Sequence, residues 1–200
     1  MAYRRITLLL ALVFTCRVIM AEQFVVFPER RELYSPDGRF VLRSIEHAGA
    51  AGEFSGIFRS LVLEEVATGA TQTIYNYVGR VGVAWSGNDF VIVNDYASKK
   101  TARALVFRLD RRNDYLIIDK PHLTAQLHEQ RREQLEGNDH VYLEVSRIEG
   151  SALLLRVWGY GKLDPQGFRF WCAYDLKEGT VSCRENLGEG NNGKSPSVFQ

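Results

Sequence analysis

The sequence predicts a mainly β fold, an antiparallel meander of hairpins with one helix near residues 120–136. Three observations lead there. Short apolar runs rich in β-branched and aromatic residues recur along the chain, bounded by Gly, Asn, Asp or Pro. Several of the intervening segments carry defined turn chemistry. One stretch alone spaces its leucines for a helix between a capping aspartate and a closing glycine.

The elements follow in order. Gln23 to Phe27 reads as a short strand ended by Pro28. Ser35-Pro36-Asp37-Gly38 is a turn: Pro36 presets φ, Asp37 can bond its own backbone and Gly38 takes positive φ. It launches a strand at Phe40-Val41-Leu42. His47 to Gly56, rich in Ala and Gly, reads as a mobile loop. Ile57 to Val66 is a strand, Ala67 to Ala70 turns it, and Thr71 to Tyr77 returns. Val81 to Trp85 and Phe90 to Asn94 flank a turn at Ser86-Gly87-Asn88-Asp89. Ala102 to Leu109 and Tyr115 to Ile118 form a hairpin around Asp110 to Asp114.

The helix is expected from Lys120 to Glu136. Asp119 can cap it, Pro121 is tolerated in its first turn, and Gly137 can close it. Leu123, Leu127 and Leu135 mark its apolar face, while Glu129, Arg131, Arg132 and Glu133 read as solvated. Strands resume at His140 to Ile148, Ala152 to Tyr160, Phe168 to Leu176 and Thr180 to Arg184.

The first 21 residues have the three parts of a cleavable secretory signal peptide. Arg4 and Arg5 form the basic head, Ile6 to Cys16 the apolar middle, and Ala21 a small residue before the cut. A membrane anchor needs roughly 20 apolar residues, and Arg17 interrupts this run. A lipoprotein reading based on Cys16 meets Thr15 where a small residue belongs. The expected organisation is a leader over 1–21, one β-rich domain over 22–184, and a flexible Gly/Asn/Ser-rich tail over 185–200.

Removing 21 of 200 residues leaves 179, enough for one domain with a core. Three of the 25 basic residues leave with the leader, so 22 face 24 acidic ones and the mature charge is −2. That balance makes no electrostatic case for nucleic acid or an anionic membrane, and no stable membrane span is expected once the leader is cut. Two cysteines remain, Cys172 and Cys183, and an exported chain would favour their pairing. The hairpin between them leaves two possibilities. A two-residue loop at Lys177-Glu178 puts them opposite one another. A three-residue loop with Gly179 as a bulge turns them to opposite faces.

Two turn signatures recur. Ser35-Pro36-Asp37-Gly38 before Phe40 is matched by Ser86-Gly87-Asn88-Asp89 before Phe90, and Val66 to Thr71 by Leu176 to Val181. Periods near 40–50 residues mark propeller blades. Tyr34 to Leu42 resembles the blade opening of periplasmic Tol-system and prolyl-oligopeptidase β-propellers. Val83 to Val91 is similar to a second copy, with Gly87 in place of Pro, and Tyr174 to Gly179 to a blade-closing hairpin. The resemblance implies a blade-like meander. With three hairpin groups and a closed propeller requiring at least four blades, the expected architecture is a partial propeller or a sandwich.

The densest aromatic cluster is Trp158-Gly159-Tyr160-Gly161 with Phe168, Phe170, Trp171 and Tyr174. Phe168, Phe170 and Cys172 alternate onto one face and Trp171 falls on the other. Core packing explains the first set. Trp158, Tyr160 and Trp171 are candidate binding residues, with Gly159 and Gly161 free to let a ligand approach the backbone. Asp139-His140 could support acid–base chemistry, without a nucleophile in a recognisable setting. The histidines His47, His122, His128 and His140 otherwise read as solvated. Asp37, Asn88, Asp89 and Asp95 could suggest calcium, but turn-forming roles explain the first three better. No cofactor or metal is expected. The leading expectation is a non-enzymatic exported domain, periplasmic or extracellular, binding a protein or glycan of the bacterial envelope. An envelope-directed hydrolase and a glycan-binding module are the alternatives.

Overall fold

A computed structural model describes residues 24–51, 54–96, 101–111 and 114–184. The expected leader and tail lie outside the described residues. The chain forms β1 (Val25–Phe27), β2 (Glu32–Tyr34), β3 (Phe40–Ala51), β4 (Phe54–Glu65), β5 (Thr71–Tyr77), β6 (Val81–Ser86), β7 (Phe90–Asp95), β8 (Thr101–Arg108) and β9 (Tyr115–Ile118). Then follow α1 (Lys120–Gln126), α2 (Glu129–Glu136), β10 (His140–Glu149), β11 (Ala152–Tyr160), β12 (Phe168–Asp175) and β13 (Thr180–Arg184). The fold is mainly β and sandwich-like, not closed into a barrel.

Strands β2-β3-β4-β5 make a four-stranded antiparallel sheet. The other nine strands form one sheet, β1-β6-β7-β8-β10-β11-β12-β13, with β9 paired to β8. That larger sheet has a narrow waist. Strands β8 and β10 meet in parallel at only Val141↔Thr101 and Tyr142↔Ala102, so its two halves act as separate layers.

Burial shows how the layers stack. Strand β6 is buried at every position and β7 at all but Phe90. One face of this central half gives Val83, Trp85, Val91, Val93, Leu105 and Phe107 to a cluster with Phe40, Leu42, Leu61, Leu63 and Tyr77 of the four-stranded sheet. The opposite face gives Ala84, Ile92, Ala104 and Val106 to a second cluster. That cluster includes Val141, Leu143, Val145, Leu153, Leu155, Val157 and Phe170 of the last sheet. A strand covered on both sides reads as a continuous apolar run rather than an alternating one, as Val81-Gly82-Val83-Ala84-Trp85 does.

The turn at Ser35–Gly38 forms as its chemistry requires. Gly38 sits at φ 71° and donates to the Ser35 carbonyl at 2.9 Å. Hydrogen bonds from Ser35 and from Arg39 hold the Asp37 carboxyl down at about 2.

Two expectations are corrected. The helix over 120–136 is broken in two. Asp119 caps α1 by accepting from the His122 N–H at 3.0 Å, but Leu127 and His128 are extended, with ψ of 151° and 157°. The break lets Leu123, Leu127 and Leu135 all reach one core cluster. Arg132 donates to the freed carbonyls of Thr124 and Leu127 at 3.2 and 3.1 Å. Nor is Arg131 merely solvated, since its guanidinium lies 4.8 Å from the Phe170 ring centre. The second correction is at His47–Gly56, where β3 and β4 continue to pair as far as Ala51↔Phe54. Backbone pairing does not need large side chains, and Gly49 faces Gly56 across the ladder, both at positive φ.

A polar bond joins the central layer to the last one. Strand β10 bulges between Val145 and Arg147. Asn94, only 2% exposed, fills the gap: its amide donates to the Val145 carbonyl at 2.9 Å and accepts from the Val145 N–H at 2.8 Å. Asn94→Ala orphans both buried groups, at about 1–3 kcal/mol each. Urea unfolding should show the loss as a lower midpoint with an unchanged slope. Asn94→Asp should be less stable at neutral pH, where a carboxylate faces the carbonyl. It should recover partly as acid restores a donor, and an equal loss at every pH would refute this assignment.

Candidate functional site: the outer face of the last sheet

Strand β10 alternates strictly at its start. Val141, Leu143 and Val145 are buried, while His140, Tyr142 and Glu144 are partly exposed. Strands β11 and β12 continue the pattern, so Arg156, Trp158 and Tyr160 share the outer face with Arg169 and Trp171. The register aligns these residues in rows across the strands. His140 pairs with Tyr160. Tyr142 pairs with Trp158, which pairs with Arg169. Glu144 pairs with Arg156, which pairs with Trp171.

Within the rows the side chains stack. His140 lies on Tyr160 with ring centres 4.4 Å apart and planes 14° from parallel. Tyr142 lies on Trp158 at 5.6 Å and 21°. The Arg156 guanidinium sits 4.6 Å from the Trp158 ring centre and bonds Glu144 at 2.6 Å. Stacked aromatic pairs and an arginine over a tryptophan each add roughly 0.5–1.5 kcal/mol beyond area burial. The result is a stiff face carrying aromatic and cationic groups.

The candidates Trp158, Tyr160 and Trp171 are thus brought together. Tyr160 is 47% exposed, and Trp158 and Trp171 are half-buried. Phe170 and Cys172 point into the core as alternation requires. The glycines serve the chain itself rather than a ligand. A Cβ on Gly159 would fall 2.1 Å from the His140 carbonyl oxygen and 2.9 Å from the Phe168 ring. One on Gly161 would fall 2.6 Å from the Asp139 nitrogen and 2.8 Å from Asn138. Asn138 is the knot there: its side chain donates to Gln134 and Asp164 at 2.8 and 2.7 Å and accepts from the Asp164 N–H at 3.0 Å.

Cys172 and Cys183 face one another in register and form a disulfide. The register is the one a two-residue loop would set, yet Gly179 still takes positive φ (68°). Both hold because pairing stops at Asp175↔Thr180, leaving Leu176 to Gly179 as a longer loop. The Gly179 N–H closes it onto the Asp175 carbonyl at 2.8 Å. The N–H groups of Glu178 and Lys177 draw the Asp175 carboxyl below its usual range.

The other candidates fall elsewhere. Nδ1 of His140 is buried without a hydrogen-bond partner, so no carboxylate orients it there. His47 and His122 pack on Phe58 and Tyr174 rather than standing in solvent, and burial lowers the His122 pKa. Asp95 is held by Tyr75 at 2.6 Å and Arg103 at 3.1 Å; burial, then the hydrogen bond to Asp95, raises the Tyr75 hydroxyl pKa. Among the described residues no three His, Cys, Asp or Glu side chains are grouped to hold a metal ion, and no helix is long and apolar enough to cross a membrane.

Comparison with known proteins leaves the geometry to speak alone: no family model matches the chain, and no curated protein matches it either.

Gly159→Ala should cost more than an ordinary strand substitution, because the methyl meets backbone as well as a ring. We expect a loss of about 2–4 kcal/mol, read as a fall in thermal midpoint. Full stability in this variant would show that the β10–β11 contact is looser than described.

Proposed function

We propose that the chain is an exported, non-catalytic binding domain that holds a protein partner of the bacterial envelope against the outer face of β10–β12. The observation that carries this reading is the set of Tyr142, Trp158, Tyr160 and Trp171 interleaved with Arg156 and Arg169 on one solvent-facing sheet. Tyr, Trp and Arg dominate the energetics of protein interfaces, because each offers a large contact area and a polar tip. The sheet holds them in place before binding, which lowers the entropy lost on association.

The alternatives find less support. Stacking on a sugar needs a free ring face. Tyr142 and Arg156 lie on Trp158, and His140 lies on Tyr160. A hydrolase built on Asp139 and His140 lacks a partner for His140 Nδ1. Export is supported by the basic-apolar-small pattern of residues 1–21 and by the Cys172–Cys183 disulfide, a bond that persists in oxidising compartments. The three packed layers, which follow one another along the chain apart from β1, support the blade-like reading of the fold.

Two measurements test this. Expressed at full length in a bacterium, the protein should appear outside the cytoplasm with its N-terminus at Glu22 and no reactive thiol until reduced. An intact Met1 terminus on cytoplasmic protein would defeat the export reading. Trp171→Ala combined with Arg169→Glu should still fold, with a native circular-dichroism spectrum and a cooperative if lower melt, but hold the partner captured from an envelope extract more weakly. The expected loss is about 2 kcal/mol, roughly thirtyfold in Kd. Undiminished affinity would place the contact elsewhere.

A further inference from the structure

At the four-stranded sheet, a cleft of about 560 Å³ opens between the turn after β1 and the start of the β3–β4 hairpin arm. Four arginines line it: Arg30 and Arg31 from the turn, Arg43 from β3 and Arg59 from β4. Glu32 and Glu46 are the acidic groups in the lining, with Pro28, Ser44 and Ile45 completing the wall. The cations outnumber the acids by four to two. Two arginines are already engaged, Arg43 with Glu32 at 3.0 Å and with Glu64, and Arg59 with Glu46. Arg30 and Arg31 are exposed and form no ion pair among the described residues.

We propose that this cleft binds a phosphate-bearing ligand. Guanidinium forks match phosphate oxygens two at a time, and concave clefts concentrate the field of like charges. The volume lies within the range of small-ligand sites, roughly 300–1,000 Å³. Arg30 and Arg31 supply the uncommitted charge. Arg59 becomes a third arm when the ligand displaces Glu46, whose carboxylate is mostly exposed. Arg43 is pinned from two sides by glutamates and forms the fixed floor. The phosphate could belong to a soluble molecule or to a lipid headgroup.

Two titrations separate these sources. Calorimetry of the purified protein with inorganic pyrophosphate should show binding that weakens as salt rises. Co-sedimentation with phosphatidylcholine vesicles doped with phosphatidylglycerol tests the headgroup. Arg30→Glu with Arg31→Glu should weaken whichever interaction is seen by about tenfold or more, with the melting curve unchanged because both side chains are exposed. Glu46→Gln should strengthen it about twofold or more by releasing Arg59. Pyrophosphate binding assigns a soluble ligand, and vesicle binding without it assigns the headgroup; either supports the site. No binding of either probe, or equal binding by the double variant, overturns it.

Discussion

Apart from Phe90, the central strands β6 and β7 are buried on both faces, and most of the architecture is a response to that constraint. A sheet buried on both sides needs two covers. The four-stranded sheet before it in the chain supplies one, and the sheet of β10–β13 with α1 and α2 supplies the other. Apolar burial drives both contacts and is roughly proportional to area, so it sets no lateral position. Asn94 supplies what burial cannot. A carboxamide that must meet both the N–H and the carbonyl of Val145 does so at one alignment of the layers. The bulge beside Val145 opens the pair of backbone groups that Asn94 fills.

Much of this was legible in the sequence, because β structure is written in local chemistry. Ser35–Gly38 announced its turn through Pro36 and Gly38, and the strands of the last sheet fell close to their expected bounds. What could not be read were features set by distant residues. The leucines at 123, 127 and 135 suit a continuous helix. The break at Leu127 follows from the shape of the core they enter and from Arg132 capping the freed carbonyls. Residues 48–51 are all Ala or Gly and lack the bulky side chains that mark a strand, yet their backbone pairs with residues 54–57 across the arm. The cysteine hairpin posed two loop lengths as exclusive, and a longer loop met both demands.

The candidate site was legible as composition and not as geometry. Alternation placed Trp171 opposite Phe170 and Cys172. It could not show that Trp158 would meet Tyr142, because that contact depends on the β10–β11 register, which the bulge between Val145 and Arg147 shifts. Nor could it show that Gly159 and Gly161 make room for His140 and Asn138. The arginine cleft left still less trace. Its cations come from a turn and two strands spread over residues 30–59, and a nearly neutral chain hides local charge that folding gathers.

The layer order has a further consequence for how the surfaces relate. The aromatic face lies on the last sheet and the arginine cleft at the first, with the doubly buried strands between them. Sites without shared contacts contribute independently to free energy, so ligands at the two proposed surfaces would not disturb one another. Their chemistries also differ in reach. The proposed phosphate site would act through charge, felt over roughly 8–10 Å in physiological salt, which suits capture from solution or from a charged surface. The aromatic face acts only in contact, where rings and guanidiniums held by His140, Tyr142 and Glu144 need little reordering. On the proposed readings, a domain so arranged would hold a phosphate-bearing ligand at one end while the other keeps its contact residues turned outward.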